Sequence, residues 1–401
     1  MTYTQMFLMI ATTLFLLHCS PVEDSSSPQR WYKGNLHTHS YWSDGDEFPE
    51  QIMKWYKERA YHFVALSDHN RLAEGERWMV IPDGDMYQTA FQEYLQTFGE
   101  EWVEYKETAA QVEVRLKTLE EYRPLFEEKD SFLILQAEEI TDQFEKRPIH
   151  LNATNVQELI DPQGGKSVVE TIQNNIDAVH RQREKTGIPM IIHVNHPNFH
   201  YAISLEDMIQ LRGERFFEVF NGHPQVHNLG DSVHMDTEEM WDLINIAYLK
   251  QGKPLMYGMA TDDSHHYHEF DSKWSNSGRG WIMVNADSLQ ETALIDAMEK
   301  GKFYASTGVQ LTELSVQNNK IHLKIDAEAD VQYEIFFIGC EKGDKESKVL
   351  EQVSATEASF TIGEKLLFVR AKIVSSALHP NPIETAIYEM AWTQPATFQH
   401  L

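Results

Sequence analysis

Short apolar runs recur through the first three quarters of the chain, and amphipathic stretches fill the intervals between them. The runs "WYKGNLH", "HFVALS", "FLILQAE", "PIHLNA", "PMIIHV", "FFEVFN", "PLMYGMA" and "GWIMVN" have the length and content of buried strands. Between most of them lie patterns of helical period: "PEQIMKWYKERA", "SVVETIQNNIDAVHRQREKT", "SLEDMIQLR", "TEEMWDLINIAYLK" and "SLQETALIDAMEKG". Strands alternating with helices predict an α/β fold, with βα units around a parallel sheet or barrel. This part is expected to begin near Trp31 and to run to residue 309.

One stretch breaks the rhythm. Leu95, Phe98, Trp102, Tyr105, Ala109, Val112, Leu116 and Leu119 recur at spacings of three and four. They predict a long helix inside an acid-rich insertion at about residues 85–130, either packing on the barrel or covering the site as a lid. From residue 310 to 401 the pattern turns to alternation without helices, in "KIHLKIDAE", "VQYEIFFIG", "ASFTIG", "LLFVRAKIV" and "AIYEMAW". Period-2 runs of this kind predict a small C-terminal β domain resembling a sandwich, with a structural or partner-binding role.

The N-terminal run "MFLMIATTLFLLHC" is too short for an ordinary membrane-spanning helix and reads as a secretory leader. Its end at Cys19 resembles a bacterial lipoprotein cleavage box, although His18 stands where a small residue is usual and "MTYTQ" lacks Lys or Arg. Residues 1–19 are thus expected to be a signal peptide with its lipobox, cleaved before Cys19 so that Cys19 becomes the lipidated first residue of an exported, membrane-anchored chain. Plain secretion and uncleaved anchoring are the alternatives. Residues 20–30 form a Ser/Pro-rich linker.

Charge narrows the function. Lys plus Arg number 34 against 62 acidic residues, a formal net charge of −28. Such a surface repels nucleic-acid backbones and anionic lipid, so neither is an expected partner, and the membrane enters only through the possible lipid anchor. Two cysteines in 401 residues exclude a disulfide framework. No pattern fixes the oligomeric state.

The chemistry follows the strands. In "LHTH" the i, i+2 spacing aims His37 and His39 at one face, so two imidazoles can converge on one ion, and Asp44 follows in the turn. "ALSDHN" ends in Asp68 and His69, and "LQAEEIT" in Glu138 and Glu139. "PIHLNAT" supplies His150, "IIHVNHPN" supplies His193 and His196, and "GMATDDSHHYH" supplies Asp262, Asp263, His265, His266 and His268. Six successive strand ends each carry His, Asp or Glu, and in α/β barrels those ends form one rim. His193, inside its apolar run, fits a core residue as well as a ligand. His62, His200, His223, His227, His234 and His322 lie outside the clusters and read as ordinary surface or core histidines.

This order of motifs resembles the PHP family, the polymerase-and-histidinol-phosphatase metallohydrolases, from about Asn35 to His265. The motifs are HxH, then SDG, an SDH-type strand end, E-I-T, a lone His, HPN and a final DxH. The resemblance implies a distorted (β/α)7 TIM-like barrel with two or three divalent ions, Zn, Mn or Fe, at its rim. It implies that His37, His39 and Asp263 hold one ion and that Glu139 bridges to a second completed by His150 and His196. Asp44, His69 and His265 would take a third, with Asp68 orienting His69 from behind. Asp44 stands where many members have His, and "DDSHH" leaves the register open between Asp262 and Asp263 and between His265 and His266. The DxH spacing favours Asp263 and His265. "GKFYASTG" resembles the closing segment of the family's secreted, stand-alone branch.

A cluster of this kind implies a hydrolase that uses metal-activated hydroxide on a small-molecule phosphoester outside the cytoplasm, without a protein nucleophile. Arg71 and Arg279 are candidates for gripping a phosphate bidentately, with surface salt bridges as the alternative. Trp42, Tyr267 and Trp274 frame a pocket or simply pack. Other readings are a carboxylic ester or carbamate hydrolase on the same ions, and a non-enzymatic surface lipoprotein that binds a ligand. The amidohydrolase barrel also opens with HxH, but it uses a bridging modified lysine where Glu138 and Glu139 stand here.

Overall fold

The chain was analysed as a computed structural model that describes residues 30–383 and 388–399. The expected leader, the Cys19 lipidation site and nearly all of the linker lie outside those residues. Among the described residues, no helix is long and apolar enough to cross a membrane.

The apolar runs are buried on both faces, as a sheet covered by helices requires. β1 (Trp31–Asn35), α1 (Pro49–Glu58) and β2 (Phe63–Leu66) come first. An insertion follows, with β3 (Arg77–Val80), α2 (Asp85–Phe98), β4 (Tyr105–Glu107), β5 (Val112–Leu116) and α3 (Leu119–Phe126). The main part resumes with β6 (Leu133–Phe144), β7 (Arg147–Thr154), α4 (Val168–Thr186), β8 (Ile191–Val194), α5 (Leu205–Met208) and β9 (Phe216–Asn221). It ends with α6 (Thr237–Lys250), β10 (Tyr257–Thr261), β11 (Trp281–Asn285), α7 (Glu291–Glu299) and β12 (Phe303–Ser306). Local chemistry sets the helix ends. Ser167 accepts from the Glu170 N–H to start α4, and Gly187 in the left-handed region closes it.

The expected long helix across residues 95–119 is not formed. Gly99, at φ +82°, ends α2, and "VEVRL" then alternates at period 2, burying Val114 and Leu116. The three-and-four spacing arose from a helix followed by strands. β3, β5 and β4 make a separate antiparallel sheet whose core includes Tyr41, Trp42 and Phe48. The insertion thus backs the loop that carries Asp44. Trp42 Nε1 donates to the Lys117 carbonyl, so this ring packs rather than facing a ligand.

The main strands belong to one sheet, in the order β10-β9-β8-β7-β6-β2-β1-β11-β12. Its pairs β1–β2, β2–β6, β8–β9 and β9–β10 are parallel. β7 runs against both neighbours, because only two residues separate it from β6 and a turn that short makes a hairpin. β11 runs against β1. The fold is therefore mixed α/β, and among the described residues the regular ladder does not close into a barrel. Beyond the ends of β1 and β10, a parallel bridge joins Thr38 to Ser264 and the Asp263 N–H donates to the His37 carbonyl, which brings these two strand ends together at the rim.

The C-terminal part continues the same sheet. β13 (Leu311–Gln317), β14 (Lys320–Ile325), β15 (Tyr333–Glu341), β16 (Lys348–Ser354), β17 (Glu357–Thr361), β18 (Leu366–Leu378) and β19 (Tyr388–Thr393) are antiparallel. β19 pairs with β12, which carries the order on through β18 and β15 to β16 and gives 13 strands. β13, β14 and β17 form a second layer, and Ile321 and Leu323 pack with Ile335, Phe337 and Ile373. Cys340 is buried.

Glu214, just before β9, is buried with one carboxylate oxygen lacking a hydrogen-bond partner. Burial pushes its carboxyl up to about 8, against the pull of the Phe216 and Arg215 N–H groups. Between about pH 4.5 and 8 the folded chain holds a proton that the unfolded chain has lost, so stability falls as pH rises through that window. Melting temperature is expected to fall more steeply there for the wild type than for Glu214→Gln.

Candidate metal centre

The rim of β1, β2, β6, β8 and β10, with the reversed strand β7, brings the candidate ligands together around Glu139. His37 Nε2 lies 3.4 Å from Glu139 Oε1 and 3.2 Å from Asp263 Oδ1. His39 Nε2 lies 3.3 Å from Glu139 Oε2 and 3.3 Å from Asp263 Oδ1. His69 Nδ1 approaches Glu139 Oε2 at 2.7 Å, His150 Nδ1 approaches Oε1 at 3.0 Å, and His196 Nε2 lies 3.6 Å from Oε1. Asp44 faces His69 and His265, each at 3.5 Å. His39 lies between the His69 and His265 rings, with centroids 4.4 and 4.1 Å away.

Potential ligand atoms converge within 4.8 Å in overlapping groups: His37, His39 and Asp263; His37, Glu139 and His196; His69, Glu139 and His150; His39, Asp44, His69 and His265; and, deeper, His37, His193 and Glu218. Glu139 therefore joins the His37 side of the cluster to the His69 side. His150 reaches it from the middle of β7, entering from the rim, and not from a strand's C-terminal end.

His37 Nε2 and both His39 nitrogens are buried without a hydrogen-bond partner among the described residues. Polar atoms buried this way are costly unless a ligand satisfies them. The carboxylates are nonetheless ionised. Burial raises the Glu139 carboxyl, but His69, His150 and His37 together hold it well below the usual range. Burial likewise opposes ionisation of Asp263, and His37, His39 and His265 outweigh it. Burial pushes His39 down to about 3, leaving it a neutral donor of lone pairs. Buried carboxylates among imidazoles with unpartnered nitrogens make a donor set that fits divalent cations.

The backing layer fixes these groups. Glu218 on β9 lies 2.7 Å from His37 Nδ1 and accepts from it, which turns His37 Nε2 toward the cluster. It also accepts from the His196 N–H, Asn221 Nδ2 and the Thr261 hydroxyl. Asn195 Nδ2 donates to Glu139 Oε1 at 2.7 Å. His196 and Asp263 have φ of +20° and +49°, a strained backbone held where ligand atoms must converge.

The structure resolves both ambiguous registers. Asp262 Oδ1 accepts from the Arg279 and Gly280 N–H groups and Oδ2 from the Tyr56 hydroxyl, so Asp262 ties β10 to β11 and Asp263 alone faces the cluster. His266 packs on Trp274, centroids 4.6 Å apart, whereas His265 faces Asp44. Glu138 turns away from the cluster and accepts from the Ile160 N–H.

Other expected residues take different places. Asp68 accepts from the Ser40 N–H and hydroxyl and from the Ser43 hydroxyl, so it fixes the loop bearing Asp44 and does not orient His69. Arg279 does not reach the cluster. Its buried guanidinium donates to the Gly222, Trp274, Asp271 and Asn381 carbonyls, which leaves no fork for a phosphate. Arg71 is exposed, two residues beyond His69. Tyr267 is buried and donates to the His39 carbonyl.

Glu218, Asn195, Asn221 and His223 were not singled out from the sequence. A lone carboxylate inside "FFEVFN" was the available signal for Glu218. His193 sits below the cluster, 3.4 Å from Glu218, among the backing residues. Glu218→Gln is expected to weaken divalent-metal affinity by about ten- to a hundredfold while the chain stays folded, as competition against a chelator will measure.

No family model and no curated protein matches the chain. Among solved structures, it is similar to a two-domain protein from Bacteroides vulgatus described as containing a predicted PHP-like metal-dependent phosphoesterase. That likeness has 14% identity and a TM-score of 0.41, over 92% of this chain and 96% of the other. The chain also resembles an amidohydrolase from Chromobacterium violaceum with bound sulfate and no metal. There the identity is 12% and the TM-score 0.26, over 58% of this chain and 87% of the other. Neither likeness extends to chemistry at these values.

Proposed function

We propose that the chain is a metal-dependent phosphoesterase of the PHP kind, built on a distorted (β/α)7 barrel and acting on a small phosphorylated molecule. One observation carries the reading: a buried, ionised Glu139 meets five histidines whose inward atoms include several without partners. His37, His39 and Asp263 would hold one ion, and Glu139, His150 and His196 a second. Asp44, His69 and His265 would hold a third. Ions bound there would supply activated water near neutral pH and positive charge for phosphoryl oxygens.

The chain's own residues set the geometry for that chemistry. Glu218 keeps the His37 proton on Nδ1, and Asn195 holds Glu139 Oε1 in place. Asp68 pins Ser40 and Ser43, so Asp44 is presented at the half-open mouth, where its side chain is 59% exposed. Arg71, exposed two residues beyond His69, would meet an incoming anion. Export through the N-terminal leader, with Cys19 as a lipid anchor, belongs to the same reading and rests on the sequence.

The test is an assay of the purified chain, loaded with Mn or Zn, on phosphomonoesters, phosphodiesters and aryl carboxylic esters. Turnover of a phosphoester that is lost in His37→Ala supports the proposal. Turnover of aryl esters alone would move the reading to a carboxylic ester or carbamate hydrolase. Absence of turnover on all three, with no change in His37→Ala, would overturn it.

A further inference from the structure

His223 stands at the edge of the cluster without joining it. It follows β9 by two residues, in a loop held by Asn221. The Asn221 Oδ1 accepts from the His223 N–H at 2.8 Å, and its Nδ2 donates to Glu218 and to Asp263. One asparagine therefore sets both the loop and two carboxylates of the site. The half-buried imidazole meets the edge of His265, with centroids 5.6 Å apart, and that of Phe199, 6.0 Å away. Phe199 in turn meets His196 at 5.1 Å. Together His223 and Phe199 wall the mouth from the His265 side to the His196 side.

His223 belongs to none of the groups of converging ligand atoms. Its Nδ1 accepts from the Gln225 N–H at 3.2 Å, which places the proton of the neutral ring on Nε2. Among the described residues that Nε2–H has no hydrogen-bond partner. Arg279, which the sequence offered as a phosphate grip, is fully engaged with backbone carbonyls.

We infer that His223 is a substrate-binding residue whose Nε2–H donates a hydrogen bond to a phosphoryl oxygen held at the ion cluster. The inference rests on the phosphoester reading of that site. A neutral donor suits this position, because it aims a dipole at the anion without adding another positive charge beside two or three cations.

The experiment measures binding of inorganic phosphate to the metal-loaded full chain by titration calorimetry, together with metal content, for the wild type, His223→Phe and His223→Gln. His223→Phe keeps the ring packing and removes the donor, and His223→Gln keeps an N–H donor. The expected result is about tenfold weaker phosphate binding in His223→Phe, partial recovery in His223→Gln, and equal metal per chain in all three. Wild-type affinity in His223→Phe would overturn the inference. Lost metal in that variant would also overturn it, by making His223 a ligand. A wild-type chain that loads metal but binds no phosphate would overturn the phosphoester reading, and the inference with it.

Discussion

Glu139→Gln is expected to remove bound divalent metal and to lower phosphoester turnover by about three orders of magnitude, while the far-UV spectrum and the melting behaviour of the apo chain change little. The carboxylate is the one group that reaches His37, His39, His69, His150 and His196 together, so it holds both sides of the cluster. An amide keeps the shape and can still accept from Asn195, but it carries no charge to offset a cation. The adjacent Glu138→Gln serves as the control. Glu138 points to the Ile160 N–H on the other face of β6, and burial pushes its carboxyl up to about 8, so the side chain is already neutral near pH 7. Metal content and turnover should be unaffected by that change.

The second large effect is on stability. Arg370 on β18 lies buried against α6, with Nε 2.7 Å from Asp242 Oδ1 and a second nitrogen 3.0 Å from Oδ2. Glu238 lies 3.4 Å from the same guanidinium and also meets Lys372. This network fastens the C-terminal strands to a helix of the first part. Arg370→Leu leaves Asp242 charged and buried without its bidentate partner, a loss of about 3–5 kcal/mol. Denaturant unfolding should show that loss. Arg370→Leu combined with Asp242→Leu should recover part of it, because no orphan charge then remains. Both variants should keep wild-type metal content at a temperature where they are folded, since neither residue touches the cluster.

Much of the site was legible because its chemistry is written in short local patterns. The i, i+2 spacing of His37 and His39 and the carboxylates or imidazoles ending apolar runs depend only on strand geometry and burial cost. Register was harder. Glu138 and Glu139, like Asp262 and Asp263, are neighbours in an extended backbone, so one of each pair must face away. Which one does so is decided by distant partners such as the Ile160 and Arg279 N–H groups. Arg279 was misassigned for a related reason. Its cage of carbonyls comes from Gly222, Trp274, Asp271 and Asn381, up to 102 positions away, and no local pattern announces it.

The fold shows the same division. Apolar runs gave the strands of the first part, yet the direction of β7 depended on the two-residue connection from β6, which leaves no room for a crossover helix. In the insertion, residues on a strand pair mimicked helical spacing once Gly99 had ended α2. Joining of β19 to β12 is a long-range pairing, so two patterns that read as separate parts share one sheet.

Metal content of the full chain, purified without chelators and measured by inductively coupled plasma mass spectrometry, tests the metal centre most directly. The proposed centre predicts at least two divalent transition-metal ions per chain in the wild type and their loss in Glu139→Gln; fewer than one ion per chain, or equal content in the variant, would contradict it.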